Sequence, residues 1–96
     1  MRFLKSTKAV LDYTINWEDY LQGEDIQSST WSIMDDVSSE DNPLVIEEEQ
    51  MEPKKALVIV SGGEPKNEYT LENIIQYVVD GKTLTDKRHI ILRINE

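Results

Sequence analysis

His89 is the single histidine in the chain, and there is no cysteine. Acid–base or metal chemistry would therefore have to start from one imidazole with no soft partner. His89 stands in His89-Ile-Ile-Leu-Arg-Ile94, where Ile90, Leu92 and Ile94 alternate with His89, Ile91 and Arg93. That spacing places it on a strand face, beside no second metal ligand. No GxSxG, HExxH, P-loop or GxGxxG pattern occurs, and Ser61-Gly-Gly-Glu64 reads as a turn that happens to contain glycines. One acidic stretch has calcium-loop spacing: Asp36, Ser38, Glu40 and Glu47 fall at positions one, three, five and twelve. Position six, where the loop needs glycine, is Asp41, and position eight is Pro43. No amphipathic helices flank the stretch, so the spacing is read as accidental. The expectation is a chain with no catalytic residue, no cofactor and no metal.

Aromatic residues offer a second kind of chemistry. Tyr13, Trp17, Tyr20, Trp31, Tyr69 and Tyr77 could form a sugar-binding platform. The stronger reading is that they fill the core, because a small domain draws most of its burial from such side chains, with tyrosine hydroxyls reaching the rim. Tyr69, at the start of a late strand, also fits the corner-locking tyrosine of Greek-key sandwiches.

The elements that would hold these residues are extended. From Ala9 onward, Leu11, Tyr13 and Ile15 alternate with Val10, Asp12, Thr14 and Asn16, which predicts a strand with one buried face. Residues 26–34 form a second candidate, with Trp31 and Ile33 on one face. Leu44-Val-Ile46 suggests a short strand between two polar stretches, so 34–54 reads as an acidic loop or hairpin. Ala56-Leu-Val-Ile-Val60 is apolar on both faces and suits the centre of a sheet. Tyr69 to Val79 fits a strand or a helical stripe; Asp80-Gly81, a hairpin signal, followed by another strand pattern, favours the strand. Six or seven strands without a long helix predict an all-β fold, a single antiparallel β-sandwich spanning 9–96. Residues 1–8 show no periodicity that would make them a stable element alone, and read as an N-terminal arm.

Bulk properties narrow the partners. Ninety-six residues suit one domain, and an apolar fraction of 39% implies a thin, elongated core. The net charge is −9, with thirteen Asp and Glu but no Lys or Arg between Lys8 and Lys54. Such a chain repels phosphate backbones, which argues against nucleic acid. No apolar run approaches a membrane span or a signal peptide. The lack of cysteine suits a reducing compartment.

The stretch Asp12-Tyr-Thr-Ile-Asn-Trp-Glu-Asp-Tyr-Leu-Gln-Gly23 joins two periodicities. After the strand, Asn16 is placed to cap one helical turn near 17–22, with Asp19 as an imperfect capping-box partner. Trp17, Tyr20 and Leu21 at i, i+3 and i+4 share a face, and Gly23 is expected to end the turn in a left-handed conformation. This is a structural corner that plugs the end of the sandwich, with Trp31 and Tyr69 completing the set.

A set of short motifs runs in order through most of the chain: Phe3-Leu-Lys5, Ala9-Val-Leu-Asp-Tyr-Thr-Ile-Asn-Trp17, Leu21, Gly23, Asp25-Ile26 and Ser28-Ser-Thr-Trp31. It continues through Ser61-Gly-Gly63, Glu68-Tyr-Thr70, Asn73, Gly81-Lys-Thr83, Asp86-Lys-Arg88 and the closing Ile-Leu-Arg-Ile run. On these residues the chain resembles a family of small tailed-bacteriophage virion proteins. Ser6-Thr-Lys8 stands where the family often has Asp-Pro-Asp. The resemblance implies a single immunoglobulin-like sandwich acting as a fibre–tail adaptor or minor virion component, made in the host cytoplasm and carried in the virion. Multiple copies would dock on a ring of portal, connector, tail or fibre proteins. The arm is the candidate partner-binding segment through Arg2, Phe3, Leu4, Lys5 and Lys8, since it carries three cations on an otherwise acidic domain. Capsid decoration, a host-surface carbohydrate-binding module and a small intracellular regulator are the alternatives; the carbohydrate reading requires a solvent-exposed Trp17 or Trp31.

Overall fold

Backbone pairing sorts the chain into two facing sheets. The strands are β1 (Arg2–Ser6), β2 (Leu11–Asn16), β3 (Ile26–Met34), β4 (Val45–Glu52), β5 (Lys55–Ser61), β6 (Glu68–Val79) and β7 (Lys82–Asn95), with one helical turn, α1 (Glu18–Leu21). The computed structural model describes residues 2–34 and 43–95. One sheet has the order β1-β7-β6-β3 and the other β2-β5-β4. The result is an all-β sandwich of principal extents 47 × 19 × 18 Å, matching the thin core expected from composition.

Alternation decides which side chains enter the core. On β6, Tyr69, Leu71, Asn73, Ile75 and Tyr77 point inward, and on β7 Ile90, Leu92 and Ile94 do the same. β5 lies between β2 and β4 and buries Ala56, Val58 and Val60, with Leu57 and Ile59 half-buried on its outer face. The strand reading of Tyr69 to Val79 therefore holds over the helical one. Its hairpin turns at Asp80 (φ 51°) and Gly81 (φ 76°), two successive left-handed residues, as a right-twisted two-residue hairpin demands.

Four features differ from the sequence expectation. Residues Arg2–Ser6 form a strand, because β7 supplies the backbone partner that local periodicity could not reveal. That pairing is parallel, with Arg2 opposite Ile91 and Lys5 opposite Ile94, so the sandwich is not wholly antiparallel. β4 continues through Glu47–Glu52, since an edge strand needs main-chain pairing to β5 but no apolar outer face, and its carboxylates discourage further pairing. β7 starts at Lys82, well before the apolar run, because the tight turn carries pairing with β6 back to Val79–Lys82.

Ser61-Gly-Gly63 is also more than a chance turn. Gly62 has φ 76°, and a Cβ there would lie 2.1 Å from the Pro43 carbonyl oxygen. Only glycine fits such a backbone approach.

Candidate functional site

The stretch from Asn16 to Gly23 turns its aromatic surface inward. The Trp17 backbone N–H donates to the Lys54 carbonyl at 2.8 Å, and the Ile26 N–H donates to the Pro53 carbonyl at 2.8 Å. The segment from β2 to β3 is thus fastened to the β4–β5 turn at both ends. Lys54 adds its ammonium to the Glu24 carbonyl and to Asp25. Trp17 is fully buried, and its Nε1–H donates to Asn73 Oδ1 at 2.9 Å. Asn73, also fully buried, uses its Nδ2 to donate to Ser29 Oγ and to the Thr30 carbonyl. One amide therefore ties the residue that precedes α1 to β3 and β6 inside the core.

Details of the corner depart from expectation. Trp17 occupies the N-cap position, while the Asn16 Oδ1 accepts the Glu18 N–H at 2.9 Å from one residue earlier. The first left-handed residue after α1 is Gln22 (φ 50°), followed by Gly23 (φ 98°). Leu21 is buried, but Tyr20 remains 38% exposed. Its ring meets Trp17 edge-on at 5.4 Å and Tyr77 at 5.7 Å, and its hydroxyl lies 2.8 Å from that of Tyr77. Hydrogen bonds with Tyr77 and with the Asp86 carboxylate hold the Tyr20 phenol well above its ordinary pKa. The same Tyr20 bond, helped by the Lys87 N–H, holds Asp86 below the usual carboxylate value. Arg88 covers the corner, its guanidinium 4.2 Å from the Trp17 ring centre and donating to the Asn16 carbonyl.

Trp31 is 4% exposed, and Tyr69 is buried with its hydroxyl accepting the Glu64 N–H at 2.9 Å. Both tryptophans lie inside, Trp31 by alternation along β3 and Trp17 at the N-cap of α1, so neither offers the exposed indole that the carbohydrate reading requires. Sequence reasoning missed Asn73 and Arg88. The signal for Asn73 was a lone amide at an inward position of an otherwise apolar alternation. His89 lies on the outer face, its Nε2 3.1 Å from Glu72 Oε2. Of the calcium-spaced residues, Asp36, Ser38 and Glu40 lie outside the described residues, and Glu47 sits on β4 beside Ser61. Among the described residues no three metal-ligating side chains gather.

The five candidate partner-binding residues divide sharply. Lys5 is 1% exposed and donates from Nζ to the Gly62 carbonyl at 2.6 Å and the Ser6 carbonyl at 2.9 Å. Burial holds its ammonium below the ordinary lysine pKa. Lys5 therefore acts as an internal strut between β1 and the glycine turn, which is where an inward-facing lysine must find acceptors. Phe3 leans on Tyr13 of the opposite sheet at 5.0 Å. Arg2, Leu4 and Lys8 remain on the surface. Arg2, Phe3 and Leu4, together with Glu68, Ile91 and Arg93, line a cleft of about 170 Å³; Ser6, Thr7, Lys8 and Pro65 line a second of about 340 Å³.

The fold is that of a small all-β domain whose two tryptophans are buried and whose two clefts take part of their lining from β1 and the residues just after it. Comparison with protein families identifies its kind. A model of the family described as podophage GP4 fiber-tail adaptor protein gp77 matches residues 5–93, and the chain belongs to that family of phage fibre–tail adaptors. No curated protein and no solved structure matches the chain.

Proposed function

We propose that this protein is a non-enzymatic virion component that couples tail fibres or neighbouring tail proteins to the head–tail junction, in several copies arranged on a ring. The observation that carries the reading is the family match across residues 5–93. The domain belongs to the immunoglobulin-like class on this reading. Three features support that class: the pairing β1-β7-β6-β3 over β2-β5-β4, Trp31 buried on the third strand, and the Tyr69 hydroxyl bonded to the backbone just upstream. Rigid sandwiches of this kind leave binding to loops, edges and termini, so docking is assigned to those parts rather than to the aromatic corner.

Quantitative mass spectrometry of purified virions tests this. A copy number that is a multiple of six or twelve supports an adaptor on a ring. Hundreds of copies would indicate capsid decoration, and absence from particles would leave only a role inside the infected cell.

A further inference from the structure

β1 is the terminal strand of its sheet, so alternate N–H and C=O groups along residues 2–6 face away from β7. The two opposite edges are managed differently. β4 carries Glu47, Glu48, Glu49 and Glu52 along its length, and Glu49 reaches across to accept the backbone N–H of Trp31 on β3 at 2.8 Å. One carboxylate thus occupies a pairing group of the β3 edge while β4 deters strands by charge. On β1 the Ser6 carbonyl is taken by Lys5 Nζ and the Ala9 N–H, but Arg2 to Leu4 carry neither protection. The strand is anchored from behind by the Lys5 strut and by Phe3 on Tyr13, which fix its geometry without covering its edge.

The surroundings of β1 also have a chemical bias. Leu4, 68% exposed, and Ile91 offer apolar surface. Arg2 and Arg93 share a single carboxylate, Glu68, at 3.3 and 3.6 Å, and Lys8 lies further along. Two guanidiniums on one carboxylate leave a local cationic excess on a chain of net charge −9. One cleft lies over β1, β7 and β6, between Leu4, Ile91 and Glu68, and the second lies just past the end of β1, at Ser6, Thr7, Lys8 and Pro65. A strand added to β1 can send alternate side chains toward such hollows.

The geometry points to β1 as an acceptor edge, where an extended segment of a neighbouring virion protein, carrying carboxylates and a small aliphatic side chain, adds as an extra strand. This inference rests on the adaptor reading and names the chemistry of its partner. Main-chain hydrogen bonds would supply affinity, with Arg2 and Arg93 selecting carboxylates and the Leu4–Ile91 cleft taking the aliphatic group.

Phage particles lacking this protein are the probe. Full-length wild type, the double variant R2E/L4E and the charge-matched control K82E/L84E at the distant β6–β7 turn are each incubated with them. Bound copies are counted by mass spectrometry, and hydrogen exchange of residues 2–8 is compared on and off the particle. The expected result is incorporation of wild type and control, at least a tenfold loss for R2E/L4E, weakening with salt, and slowed exchange along β1 on the particle. An unchanged melting temperature separates lost docking from lost folding, and R93Q, outside β1, must also reduce incorporation if the double variant proves unstable. Equal incorporation of all variants overturns the edge assignment while the adaptor reading stands. Failure of wild type itself to join particles overturns the adaptor reading and this inference together. Self-association of free wild type that R2E/L4E abolishes overturns it too, by making the occupant a second copy.

Discussion

The corner at Trp17 and the edge at β1 use similar residue types to opposite ends. Both set aromatic and aliphatic side chains within a few residues of one another and add a basic group, Arg88 reaching in from β7 at the corner and Arg2 and Lys5 standing within the segment at the edge. At the corner, Trp17 and Leu21 are buried, Asn73 completes the indole hydrogen bond, and Arg88 closes the outside. At the edge, Leu4 and Arg2 stay in solvent, and of the inward pair Phe3 and Lys5 only Lys5 is buried. The difference is the number of neighbours. The corner is enclosed by β3, the β4–β5 turn, β6 and β7, whereas β1 pairs with β7 alone in its sheet. A motif rich in Trp and Tyr is thus largely buried here, and the docking edge we propose lies in a plainer segment.

The sharpest way to break this comparison is at the indole. Trp17→Ala should cost about 3–5 kcal/mol, the range for removing a large buried aromatic, measured by urea denaturation. A loss below about 1 kcal/mol would mean that the corner is not core. Asn73→Ala should cost about 1–3 kcal/mol by leaving the indole N–H buried without its acceptor. Tyr69→Phe should lose about 1 kcal/mol, one backbone-to-hydroxyl bond at the Glu64 N–H. R2E/L4E, by contrast, should stay within about 0.5 kcal/mol of wild type, since both side chains are solvated. The smallest effect concerns pH. Asp86 has its pKa lowered in the folded state, so its stabilising contribution is complete above the unfolded carboxylate value. It is lost as pH falls through the lower folded value. Asp86→Asn should flatten that part of the acid-side melting-temperature profile, and an unchanged profile would remove the Tyr20–Asp86 link.

Much of the fold was legible because alternation is a local property. Leu11 to Asn16, Trp31 to Ile33 and Tyr69 to Val79 each state their buried face within a few residues, and Ala56 to Val60, apolar on both sides, states a strand inside a sheet. β1 was illegible for a physical reason. Its inward positions are Phe3 and Lys5, and a lysine at a core position breaks the apolar pattern unless carbonyl acceptors from a distant turn are known to await it. The acidic run to Glu52 hid β4 in the same way. The candidate docking segment was named from its cations, yet which of them face solvent could not be read from spacing.

By itself, the sequence determined an all-β domain, its inward aromatics, the Asp80-Gly81 hairpin and a resemblance to phage virion proteins. Those follow from periodicity, turn stereochemistry and residue order. Tertiary contacts alone made Lys5 a strut while Arg2 and Leu4 stay exposed, set Asn73 to hold the corner, and joined β1 to β7 in parallel. Each depends on groups between 56 and 89 residues apart in the chain, a distance over which no local pattern carries information.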